Sequence, residues 1–170
     1  MESYHPLRRK EQEIRDAAEL KAILAKTRYV TVAMCRNDEP YLVTLSHGYD
    51  DERNAVYFHC AFAGKKIDFL KANNRVWGQA FIDRGYVQGE CDHLFSSVQF
   101  SGRVSFIQDA AEKRHALSVM IRQLEREPDK VMAAKVSDAR IAQTNIGRID
   151  IGFLGGKRTE KNDGSDKQKK

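Results

Sequence analysis

The stretch richest in reactive side chains is Tyr57-Phe-His-Cys-Ala-Phe-Ala-Gly-Lys-Lys-Ile-Asp-Phe-Leu70. Ala55 to Cys60 reads as a strand that delivers the chain to Gly64, and Lys65 and Lys66 stand at the entrance of a short helix. The first N–H groups of a helix lack intrahelical acceptors and the helix dipole favours negative charge there, so the arrangement suits an anion such as a phosphate. Two solvated lysines on a surface turn give the same local pattern, and no Walker-type glycine run accompanies this one, so both readings stay open on local sequence alone. On the strand, His59 shares a face with Tyr57, opposite Phe58 and Cys60. An imidazole so placed either handles a proton or is a hydrogen-bonded strand-end residue.

Other reactive groupings are weaker. Cys91-Asp-His93 and His47 offer ligand types, yet no HxxxH or CxxC spacing recurs, and no metal site is expected. Ser97 and Ser101 lack a G-x-S-x-G elbow or a Ser-His-Asp grouping, which disfavours hydrolase chemistry. Cys35, Cys60 and Cys91 fit no disulfide framework, so free thiols in a reducing compartment are the expectation.

The formal charge is +5, but from Lys157 to Lys170 six basic residues face three acidic ones, which puts +3 of that total in the last fourteen residues. No basic stripe with interleaved aromatics remains in the body, so nucleic acid is not an expected partner. No apolar run approaches the ~20 residues of a membrane span, and Met1–Lys10 is charged without a signal-like apolar stretch. A cytoplasmic location without membrane attachment is the expectation. The 170 residues suit one domain, placed at 1–157, followed by a disordered charged tail at 158–170.

The elements that must hold the lysines follow from periodicity. Asp16-Ala-Ala-Glu19 resembles a capping box opening a helix with Leu20, Ile23 and Leu24 on one face. Tyr29 to Cys35 and Pro40 to His47 form a hairpin across Arg36–Glu39, and Ala55–Cys60 extends it to a meander. After the Lys65–Ala72 helix, Asn73-Asn74 terminates it and Val76 to Ile82 is a fourth strand. Ser97 to Phe106 alternates cleanly, with Val98, Phe100, Val104 and Phe106 on one face. Asp109 to Glu112 caps a helix of about four turns whose stripe is Leu117, Met120, Ile121 and Leu124, stopping near Pro128. Ile149, Ile151 and Phe153 mark a last strand before Gly155-Gly156. The fold class is therefore mainly β with peripheral helices, an antiparallel barrel, closed or nearly so, that hides its edges by closure or by pairing in a dimer.

The order Pro40-Tyr-Leu-Val-Thr-Leu-Ser-His-Gly-Tyr-Asp50, Tyr57-Phe-His-Cys-Ala61, Gly64-Lys-Lys66, short helix, Asn73-Asn-Arg-Val76 resembles the FMN-binding split β-barrel superfamily related to pyridoxamine 5'-phosphate oxidase, in particular its nitroimidazole-resistance-like branch. Phe95-Ser-Ser-Val98 with Gly102, the Glu112–Leu117 helix start and the Ile149–Lys157 strand continue the likeness over roughly residues 7–157. The resemblance implies a homodimer with FMN at its interface and a small-molecule substrate or electron donor. By the same resemblance Leu42, Val43, Thr44, Leu45 and Ser46 border the flavin ring, largely through backbone groups, and His59 and Cys60 lie beside it. Lys65 and Lys66 take its phosphate, and Ser97 reaches in from the second subunit. His59 is the implied catalytic residue. The resemblance points to an FMN-dependent oxidoreductase that reduces a small acceptor such as a nitro-aromatic, with a non-catalytic flavin or haem carrier or sensor as the alternative. The oxidase branch often places arginine where Lys65 stands and carries a C-terminal tryptophan and arginine motif. Here the only tryptophan is Trp77, in an expected central strand, so pyridoxamine-phosphate oxidase activity itself is not expected.

Overall fold

The computed structural model describes residues 7–160. Its helices and strands follow in the order α1 (Ala17–Lys26), β1 (Tyr29–Arg36), β2 (Glu39–Ser46), β3 (Gly48–Asp50), β4 (Ala55–Cys60), α2 (Lys65–Ala72), β5 (Arg75–Val87), β6 (Asp92–Phe106), α3 (Ala110–Leu124), α4 (Pro128–Lys135), α5 (Asp138–Ala142) and β7 (Asn145–Thr159). The strands form one sheet in the order β2-β1-β5-β6-β7-β4-β3, every neighbouring pair antiparallel. Its two edges, β2 and β3, are consecutive in the chain, separated only by His47. The sheet therefore curls back on itself, and β2 comes near β4 without a hydrogen-bonded ladder between them. This is an antiparallel split barrel.

Local chemistry explains the pairings. Asn37 and Asp38 both adopt positive φ, 48° and 63°, the two left-handed residues that a type I′ turn requires between twisted strands. The resulting register places Cys35 opposite Pro40 and Arg36 opposite Glu39. Alternation on β4 sorts its side chains into two cores. Val56 and Phe58 face the barrel interior with Val30, Val32, Phe69, Val98, Phe100 and Ile149. Ala55 and Tyr57 face outward into a second cluster with Ile107, Ala116, Met120 and Ile146 beneath α3.

Several expectations are corrected in extent. On α3 the buried residues are Lys113, Ala116 and Met120, so of the expected stripe only Met120 is fully buried and Leu117 packs partly. The cause is close docking: a Cβ on Gly48 would lie 2.7 Å from the Met120 backbone, so the helix rests on its Ala116–Met120 edge. The helix ends at Leu124, and Pro128 opens α4 at a first-turn position where its missing N–H costs nothing. The final strand reaches Thr159, not 157. Arg158 pairs with Glu19 of α1 and Gln12 donates to the Thr159 hydroxyl at 3.1 Å, so cutting at 158 removes ordered strand; residues 161–170 of the expected tail lie outside the described residues. Among the described residues no helix is long and apolar enough to cross a membrane.

Candidate functional site

β4 ends at Cys60, and Gly64 turns the chain into α2 with φ +122°, a conformation that side-chain-bearing residues rarely adopt; beyond its chain neighbours, no described residue has an atom within 4 Å of where a Cβ would stand. Ile67 and Asp68 donate to the Gly64 carbonyl, which closes the first turn of the helix. Lys65 and Lys66 are its first two residues, and Gly64 has no side chain to cap their N–H groups. Phe69 and Leu70 bury the opposite face in the barrel core and Ile67 is buried beside them in sequence, which fixes the direction in which the helix start points.

The two lysines differ in their surroundings. Lys65 donates to Glu39 Oε1 at 2.7 Å, and its ammonium stands 4.9 Å from the Tyr41 ring centre and 5.3 Å from that of Phe69. The hydrogen bond from Lys65 holds the Glu39 carboxyl below the usual carboxylate range. Lys66 has no carboxylate partner among the described residues, and its charge acts on Cys60. Burial pushes the Cys60 thiol up while Lys66 pulls against it, so this sulfur stays a thiol rather than a thiolate nucleophile. Asn145 donates to the Ala61 carbonyl at 3.0 Å and approaches Cys60 Sγ at 3.6 Å, tying the strand end to β7.

β2 supplies the facing wall. Tyr41, Val43 and Leu45 pack on the core, whereas Leu42, Thr44 and Ser46 point outward and Leu42 is 63% exposed. The His47 N–H donates back to Arg28, so in an antiparallel ladder the backbone groups of Leu42, Thr44 and Ser46 point away from β1, toward the split. Pro40 lies on the same outward phase, where a missing donor interrupts no ladder bond. His59 is exposed and lies on the opposite face of β4 from the core-packed Cys60. The structure thus brings Leu42–Ser46, His59, Cys60, Lys65 and Lys66 to the elements that bound the split.

Ser97 stands apart. It lies mid-sheet on β6 between Phe81 and Lys157, is only 2% exposed, and is three strands removed from β2. A groove of about 850 Å³ on the outer face, lined by Cys35, Arg75, Trp77, Arg103 and Asp150 among others, includes none of the expected site residues. Among the described residues no cluster of three or more metal-ligating side chains occurs.

Two features were missed by sequence reasoning. One is Glu39 as the partner of Lys65; a tight hairpin turn was visible, but the contact spans 26 residues. The other is a polar network on the α3 side. There Gln123 accepts from the Tyr49 N–H at 2.8 Å and donates to the carbonyls of Thr27 at 2.7 Å and Leu24 at 3.1 Å. The fully buried His47 contacts the Leu24 carbonyl through Nε2 at 3.0 Å, which assigns the proton to Nε2. Nearby, His115 meets Asp50 at 2.6 Å; burial raises the Asp50 carboxyl, but hydrogen bonds from His115 and the Arg53 N–H outweigh it and the net shift is downward.

A split barrel with a cationic helix start at its opening is the class that these observations define. The pyridoxamine 5'-phosphate oxidase family model matches residues 16–158, and the chain belongs to that family. Among solved structures it is similar to a candidate 5-nitroimidazole antibiotic resistance protein from Bacteroides thetaiotaomicron, at 24% identity and TM-score 0.73 over 86% of each chain. It is also similar to a FAD-binding protein from Mesorhizobium loti, at 26% identity and TM-score 0.61, covering 85% of this chain and 96% of that one. A third, a FAD and heme binding protein from Mycobacterium smegmatis, aligns at 15% identity and TM-score 0.71 over 88% of this chain and 74% of that one. The first and third likenesses, below 25% identity, bear on the fold alone. No curated protein matches the chain in sequence.

Proposed function

We propose that the chain is an FMN-dependent oxidoreductase whose flavin lies along the outer edge of β2 with its phosphate at Lys65 and Lys66. The observation that carries this reading is the juxtaposition, through the Lys65–Glu39 contact, of a strand edge without a ladder partner among the described residues and two lysines at an uncapped helix start. The residues fit the group. The β2 edge offers backbone donors and acceptors that a flavin ring can use, and Gly64 leaves open space where a Cβ would crowd a phosphate. The FAD-binding relative supports a flavin, and a seat of two lysines suits the single phosphate of FMN.

Bound FMN supplies two-electron transfer between a reduced donor and a small acceptor, a nitro-aromatic being the acceptor proposed here. The chain's own residues bind and orient. Lys65 and Lys66 neutralise the phosphate, the β2 backbone fixes the ring, and His59, exposed at the end of β4, delivers a proton to the acceptor. A homodimer completes the site. The outer sheet face exposes Tyr29 (58%), Trp77 (44%) and Phe81 (48%) beside Leu42, an apolar surface that a second copy would cover. Any role for Ser97 requires that second copy together with a local shift that uncovers its hydroxyl.

The test is an absorption spectrum of purified protein after FMN loading and gel filtration. A retained two-band flavin spectrum at a dimer-sized elution volume supports the reading; a colourless protein contradicts it. A strong Soret band instead supports the second reading, a haem carrier or sensor with the exposed His59 as an iron ligand.

A further inference from the structure

Resting on the flavin reading, we propose that Glu39 is a built-in competitor for the phosphate seat: its carboxylate pairs with the Lys65 ammonium and must leave before a phosphate can bind. The geometry separates what holds Lys65 from what neutralises it. The Lys65 ammonium rests against the rings of Tyr41 and Phe69, 4.9 Å and 5.3 Å away, and those rings pack against each other at 5.2 Å. Both rings pack on the barrel core, so the aromatic cradle does not depend on Glu39. Glu39 is different: half-exposed, it is the first residue of an edge strand, directly after the Asn37-Asp38 turn. Its second cation, Arg36, is 4.0 Å away, and the Arg36 guanidinium itself stacks over Phe69 at 4.6 Å. A carboxylate released from Lys65 therefore keeps a cationic neighbour, which makes its departure cheap.

Lys65 and Lys66 together carry +2, but Glu39 reduces the seat to +1, since Lys66 is without a carboxylate among the described residues. A phosphate monoester near neutral pH carries about −1.5 to −2, so the seat matches it only when Glu39 has swung aside. The seat is thereby biased against weakly charged anions and tuned to the dianionic end of the cofactor. An exposed ion pair of this kind contributes little by itself, so the bias is a few-fold effect and not a block.

The experiment compares FMN with riboflavin, which has the same ring and no phosphate, by equilibrium fluorescence titration of the full chain and its Glu39→Gln variant. The expected result is FMN affinity about fivefold tighter in Glu39→Gln, with riboflavin affinity unchanged. In a Lys65→Ala background the same Glu39→Gln change should lose its effect. An unchanged or weakened FMN affinity in Glu39→Gln overturns the inference while leaving the flavin reading intact, because it makes Glu39 a bystander or a support for Lys65. If neither protein binds FMN or riboflavin, the flavin reading fails and the inference falls with it. Thermal melts of each variant check that the fold is unchanged.

Discussion

The two sides of the barrel handle polar side chains in opposite ways. Under α3, His47 and Asp50 are buried and Gln123 is partly buried, and their polar atoms go to named backbone or side-chain partners, apart from His47 Nδ1, which has none among the described residues. Around the split, Lys65 and Glu39 are about half-exposed and joined by a solvent-accessible ion pair, and the β2 edge has no ladder partner among the described residues. Buried polar groups that are satisfied internally hold elements in place, since leaving them unpaired costs about 1–3 kcal/mol each. Exposed charges with exchangeable partners are what a binding site needs. The difference marks the α3 side as architecture and the split as the side whose charges are free to change partners, where the proposed chemistry would sit.

The contrast is broken most strongly at the lysines. Lys65→Ala with Lys66→Ala should weaken FMN binding by about a thousandfold, roughly 4 kcal/mol for two charge-assisted contacts, while the melting temperature stays within a degree or two. Equal loss of stability and affinity would merge the two sides into one. Conversely, Gln123→Ala should destabilise the fold by about 3 kcal/mol, because it strips partners from the Tyr49 N–H and the Thr27 carbonyl, yet leave FMN affinity of the folded fraction unchanged. Denaturant unfolding with and without excess flavin separates those effects.

The histidines sharpen the same contrast. His59→Gln should retain flavin and lower turnover of a nitro-aromatic by about a hundredfold, the lower end for a general acid; unchanged kcat would reduce His59 to a surface residue. His47 acts through stability. Burial depresses its pKa in the folded state below the ordinary value of 6.5, so the unfolded chain takes up the proton more readily. Its contribution is complete above about pH 6.5 and falls by at most about 1.4 kcal/mol per pH unit as the pH drops toward the lower folded value. Unfolding free energies between pH 7 and pH 5 should show that slope, and His47→Gln should flatten it.

Much of the barrel was legible because its strands carry period-two alternation and its first hairpin a strong turn. Val98, Phe100 and Val104 are buried where alternation puts them, and Asp16 and Asp109 cap the helices they were expected to cap. What periodicity could not supply was the docking edge of α3, decided by the bare backbone of Gly48, and the polar ends of β5 and β6, which extend to Val87 and back to Asp92 on ladder pairing and carry no apolar code. At the site, Gly64-Lys-Lys66 was visible because glycine and helix start coincide. Glu39 was not, because nothing local links a hairpin turn to a helix 26 residues away.

The most direct measurement is the ratio of FMN to riboflavin affinity in the unmodified protein and in the Lys65→Ala, Lys66→Ala variant. The ratio should be about a thousand in the first and collapse to near one in the second, with riboflavin binding hardly altered. A high ratio that survives loss of both lysines would place the phosphate elsewhere and contradict the assignment of this helix start as its seat.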